Sequence, residues 1–160
     1  MNLERVELLA SLLAEARAEG MRVPNLPEPI WRGVAGLTPQ LAAELLLTRD
    51  GTDVLLVWRE DRDFVGWHVP GGWFGAGEGA QRTAARIARR ELGVGVVVEA
   101  LLDARGWAAH PYAEAVSLLC ACRADGLPQE GVWFTEVPRP IVAHHDEFVC
   151  LYLAWLRARR

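Results

Sequence analysis

The chain has 160 residues, 51% of them apolar, which suits one domain with a substantial core and excludes a disordered polymer. Its formal charge of −4 offers no basic footprint for nucleic acid, and no apolar run reaches the length of a membrane span. Lysine is absent, so a phosphate contact has to come from an arginine, a backbone N–H or a metal.

Leu3, Val6, Leu9, Leu13 and Ala16 recur at three- and four-residue intervals. That spacing predicts an amphipathic helix over 3–18, capped by Asn2 and ended by Gly20. The proline-punctuated stretch MRVPNLPEPIWRG then reads as a packed loop or arm. Residues 1–37 are thus expected to form an arm ahead of a second unit, 38–160, positioned to cover a site or to make a homodimer contact. AAELLLT and DVLLVWR read as strands, joined at Asp50-Gly51 by a tight hairpin. Trp67–Val69 is a short strand leading into a Pro70-Gly71-Gly72 turn. Residues 78–92 turn helical, with Gly93 just beyond the helix end. VGVVVEALLDARGW, EAVSLLCACRA and VWFTEV are β-rich, and a last helix runs from His145 to Arg159 with Phe148, Leu151, Tyr152 and Trp155 on one side. The order predicts a mixed α/β layered sandwich. A charged N-terminus unlike a secretory signal, and an odd three cysteines, lead to the expectation of a cytoplasmic protein.

Gly71, Gly72, Gly75, Gly77 and Gly79 let backbone approach a ligand and can turn N–H groups toward an anion. The Lys-Ser/Thr of a nucleotide P-loop is missing, and the spacing is wrong for a dinucleotide fingerprint. The stretch VPGGWFGAGEGAQRTAARIARRELGV instead resembles the box of the Nudix hydrolases, G-x5-E-x7-R-E-U-x-E-E-x-G-U with U aliphatic. In register it supplies Gly72, Glu78, Arg86, Ala88, Glu91, Gly93 and Val94, and the preceding Trp67-His68-Val69-Pro70-Gly71 resembles the usual entry to that box. The resemblance implies a Nudix-type α/β/α sandwich with a mixed β-sheet over 38–160, plus the N-terminal helix. It also implies hydrolysis of a nucleoside diphosphate linked to another moiety, with Mg2+ or Mn2+ as cofactor.

Ile87 and Arg90 stand where the family has two of its acids. Positions 87, 90 and 91 lie at i, i+3 and i+4 and so share a helix face. Three carboxylates there would gather two or more cations; Ile87, Arg90 and Glu91 leave room for one hard cation, held by Glu91, a carbonyl of Gly71–Gly72, water and substrate phosphates. A similar loss marks the GDP-mannose mannosyl hydrolases, and that likeness implies one Mg2+, attack at the sugar carbon and a histidine base on a later loop. Here the corresponding loop reads LPQEGVWF, with Gln129 as a candidate metal ligand and Glu130 where the histidine would be.

Glu91 and Gly72 are therefore the expected metal contacts, beside Gln129. Gly71, Gly72, Arg86, Arg90 and Trp73 are candidates for the phosphates or an attached ring. Arg86 reads first as pairing with an acid and orienting the loop, and Arg90 can equally be a solvated arginine. Glu130, His110 and His144 are candidate bases, although His144-His145 also suits a helix start and His68 suits packing beside the turn. Trp107 joins Trp73 as a candidate platform, with core packing as the other reading. Cys120 and Cys122 share a strand face and read as core residues. The expected function is a nucleotide or nucleotide-sugar hydrolase, and the other reading is a weak or inactive domain that binds a nucleotide or a protein.

Overall fold

A computed structural model describes residues 2–22, 25–107 and 114–159. In chain order the elements are α1 (Leu3–Ala18), α2 (Glu28–Ala35), β1 (Gln40–Leu47), β2 (Val54–Glu60), β3 (Val65–His68), β4 (Gly71–Trp73), α3 (Ala80–Leu92), β5 (Val96–Trp107), β6 (Ala115–Ala124), β7 (Val132–Phe134) and α4 (His145–Arg157). One sheet has the order β4-β1-β6-β5, with β1 and β6 parallel and the other pairs antiparallel. A second, antiparallel sheet has the order β3-β2-β7.

Strand β1 explains the layering. From Ala42 to Leu47 it is buried on both faces, as a run of apolar residues in a central strand should be. Ala43, Leu45 and Leu47 pack with Ala84, Ile87, Ala88 and Leu92 of α3, while Leu46 packs with Phe148, Tyr152 and Leu153 of α4. Helices thus cover the sheets from two sides, giving the α/β/α arrangement. Cys120 and Cys122 lie in the α3 layer as core residues, with their thiols pushed up by burial, Cys120 to about 11.

Three local expectations change. The Asp50-Gly51 turn does not close a hairpin, because β1 pairs with β4 and β6 whereas β2 enters the other sheet. The turn is a crossing between sheets, held by the 1% exposed Asp53: its Oδ1 accepts from Thr48 Oγ1 and Arg49 N, both at 3.0 Å, and its Oδ2 from Arg49 Nε at 2.6 Å. Within the proline-rich stretch, Glu28–Ala35 is helical, since prolines at a helix start remove N–H groups that would have no helical partner. Gly71 and Gly72, expected in a turn after Pro70, are themselves the start of strand β4. Asn2 caps α1, but the helix buries none of its residues, and Leu8, Leu9, Leu12 and Leu13 stay exposed.

The Asp53 network gives the first test. Asp53→Ala strips three hydrogen bonds, two of them with Arg49, from a buried crossing and should lower unfolding stability by about 2 kcal/mol. Urea denaturation measures this directly, and an unchanged midpoint would mean the crossing is held by packing alone.

Candidate functional site

A cleft of about 460 Å³ opens where β4 lies along β1, between the two sheets. At its centre is Gly71, paired with Glu44 of β1. A side chain at Gly71 would begin 2.1 Å from Glu44 Oε2 and 3.1 Å from the Ala43 carbonyl, so the missing side chain is what lets the two strands and the carboxylate fit. Glu44 is 5% exposed, lines the cleft, and receives a 3.0 Å hydrogen bond from Ser117 Oγ of β6. Burial pushes its carboxyl up to about 8; the Ser117 bond works against this and the nearby Glu91 charge adds to it.

Helix α3 brings Arg90 and Glu91 to the same glycine. Gly71 N donates to Glu91 Oε2 at 3.2 Å, while Arg90 Nη2 reaches Glu91 Oε1 at 2.5 Å and the Gly71 carbonyl at 3.3 Å. The oxygen pair expected to hold a metal therefore holds a guanidinium, and the carbonyl involved is that of Gly71, not Gly72. Among the described residues, no three His, Cys, Asp or Glu side chains cluster in a metal-binding group. The shared face at 87, 90 and 91 is real but uneven. Ile87 is fully buried beneath Gly72, whereas Arg90 keeps 55% of its side chain exposed.

Arg86 does not reach the cleft lining. It grips Glu78 through Nη2–Oε2 at 2.6 Å and Nε–Oε1 at 3.0 Å, and donates to the Trp73 carbonyl at 2.8 Å. Glu78 also accepts from Gly75 N and Thr83 Oγ1, and the Arg86 bonds lead in holding its carboxyl down to about 2. This pair ties the glycine loop to β4 and the helix, the orienting role among the two readings of Arg86.

The later candidates separate. Gln129 packs on Gly93 and donates its N–H to the Leu92 carbonyl, so it closes the far end of α3; neither it nor Glu130 lines the cleft. Gly93 has a φ of 68°, as expected just past a helix end. His144 precedes α4 with its ring 5.3 Å from that of Trp107, outside the cleft lining. His110 lies outside the described residues. Trp73 and Trp107 both line the cleft, and Trp31 of α2 packs 5.6 Å from Trp73.

Glu44, Arg59 and His68 as a site group line the cleft but escaped sequence reasoning, and His145, read first as a helix start and second as a base or phosphate contact, lines it too. Arg59 of β2 pairs with Asp61 at 2.5 Å and lies over the Phe64 ring at 4.3 Å. His68 Nδ1 is 2.8 Å from the Val69 carbonyl. A carbonyl only accepts, so Nδ1 carries the proton and Nε2 is the basic atom. Burial lowers the His68 pKa and keeps the ring neutral, against the pull of Glu91. His145 is buried, and its Nδ1 accepts from Val69 N at 2.9 Å. A lone acid inside the apolar run AAELLLT was the available signal for Glu44.

A NUDIX domain family model matches residues 38–149. The Haloferax volcanii low-salt glycan biosynthesis protein Agl8 is 33% identical over 79 residues, 49% of this chain and 50% of that protein, so the chain spans about half the length of this relative. The fold is similar to a MutT NUDIX hydrolase from Burkholderia pseudomallei, with a TM-score of 0.63 and 22% identity over 71% of this chain and 98% of that one. It is also similar to a UDP-X diphosphatase, with a TM-score of 0.58 and 22% identity over 98% of this chain and 83% of the other.

The buried carboxyl predicts a pH dependence. Its folded pKa lies above the ordinary carboxylate value of 4.5, so the native state holds a proton that the unfolded chain releases. That contribution is full below about pH 4.5 and disappears as the pH rises toward 8. In chelator-treated protein, thermal stability should fall more steeply from pH 5 to 8 than in Glu44→Gln. Parallel profiles would mean that the native carboxyl is already ionised.

Proposed function

Because the chain belongs to the NUDIX domain family, we propose that it is a hydrolase of a nucleoside diphosphate joined to a second moiety, with a nucleotide sugar as the substrate class. The observation that carries this reading is the convergence of Glu91, Arg90, Arg59 and the Gly71 backbone in one cleft bordered by Trp73 and Trp107. Two guanidinium groups suit the diphosphate, and the indoles suit the base or sugar ring. Likeness to a glycan biosynthesis protein supports the sugar part.

Hard oxygen donors at Glu91 and Gly71 fit a single Mg2+ or Mn2+, and the positive group already lodged between them supports a cation there. When bound, such an ion would neutralise charge developing on the departing diphosphate. Arg90, half-exposed, is free to turn from these oxygens to the phosphates. We assign His68 Nε2 to accept the proton of the attacking water. The water oxygen bonds to the sugar carbon, the carbon–oxygen bond to the diphosphate breaks with its electron pair on that oxygen, and His68 holds the released proton.

A panel of nucleotide sugars, nucleoside triphosphates and dinucleotides with Mg2+ or Mn2+ tests this. Nucleotide sugars should be turned over, and Glu91→Gln should abolish turnover while keeping the melting temperature within a few degrees. Hydrolysis in 18O-labelled water should place the label in the sugar; label in the phosphate would overturn attack at carbon. The sparse acid cluster favours one other reading, a nucleotide-binding domain without turnover. Ligand-induced thermal stabilisation with no product from any member of the panel would establish it.

A further inference from the structure

Two carboxylates from different elements converge on Gly71. Glu91 of α3 bonds to its N–H, and Glu44 of β1 places Oε2 2.1 Å from the position its side chain would take. Both carboxyl groups line the same cleft. Ser117 occupies Glu44 Oε1, while Oε2 makes no hydrogen bond among the described residues, in a carboxylate that is more than nine-tenths buried and lines the cleft. A carboxyl group kept there for packing alone would be an expensive choice, since an apolar side chain of similar volume would fill the same space without desolvating a polar group.

We propose that Glu44 is a second carboxylate ligand of the cleft's divalent cation, acting with Glu91 and the Gly71 carbonyl. The helix cannot supply this second acid: position 87 is Ile87, fully buried, and position 90 is Arg90, a cation. Strand β1 supplies it from the opposite side of the glycine. Two carboxylates and a carbonyl leave the remaining positions of a hard cation to water and to phosphate oxygens. The register fixes the arrangement, because Glu44↔Gly71 is a paired position of β1 and β4, and slipping it by one residue would turn the carboxylate to the α3 layer. The assignment rests on the single-cation reading above, and metal binding is measured apart from turnover so that the two can fail separately.

The experiment is a Mn2+ titration of the full chain followed by electron paramagnetic resonance of the free ion. It compares the unaltered protein with Glu44→Gln, Glu91→Gln and Glu99→Gln. One Mn2+ should bind to the unaltered protein. Glu44→Gln and Glu91→Gln should each weaken it by at least about tenfold, the low end of the loss seen even for outer partners of a metal ligand. Glu99→Gln, whose exposed carboxylate pairs with Arg123 away from the cleft, should bind as the unaltered chain does. Glutamine matches glutamate in shape and carries no charge to bury, so Glu44→Gln should fold; Glu44→Asp, which keeps the charge and withdraws the oxygens, provides a second variant and should also bind more weakly. Full Mn2+ affinity in the folded Glu44 variants, alongside loss in Glu91→Gln, would overturn the assignment and leave the single-cation reading standing. No Mn2+ bound by the unaltered protein would overturn both.

Discussion

The molecule depends on the close approach of β4 to β1 at Gly71. A side chain there would displace the Glu44 carboxyl group, with which its first carbon would collide, and press on the Ala43 carbonyl. With only hydrogens present, one residue meets three ionisable side chains. Its N–H reaches Glu91, its carbonyl reaches Arg90, and its α-carbon lies under Glu44. Backbone is the one part of the chain that offers donor and acceptor at fixed separation, and a strand pair holds both in place more firmly than a loop would.

The same strand carries the core and the site. One face of β1 seats helix α3 through Ala43, Leu45 and Leu47, and the other presents Glu44 and Leu46. Packing of α3 therefore sets where Arg90 and Glu91 arrive. Arg86 completes the fit from the other end of the helix, binding Glu78 and the Trp73 carbonyl so that the glycine loop, β4 and α3 are tied together. The box helix contributes its frame as much as its ligands.

What was legible in the sequence follows from distance along the chain. The box sits in one loop and one helix, so its spacing revealed α3, the Gly93 stop and the arrival of Glu91 beside the glycines. The layered α/β arrangement followed from the order of apolar runs. Glu44 was hidden because its partners, Ser117 and Gly71, are brought to it by sheet pairing and not by neighbourhood. Asp50-Gly51 misled for a related reason: a turn dipeptide fixes a reversal, whereas the doubly buried β1 demanded neighbours on both edges, and β6 and β4 took them. Gln129 was aligned through a motif, yet the structure spends it on the end of α3. His68 was read as packing, and only its carbonyl contact assigns which ring nitrogen bears the proton.

Arg90 has a further consequence. In a helix with three clustered acids, mutual repulsion costs stability unless cations from solution sit between them. Here the chain brings its own positive group to Glu91 and the Gly71 carbonyl, tethered and present from the moment the helix docks. Charge neutrality on this face is thus a property of the polypeptide itself. Assembly of this face is thereby separated from the supply of ions in solution.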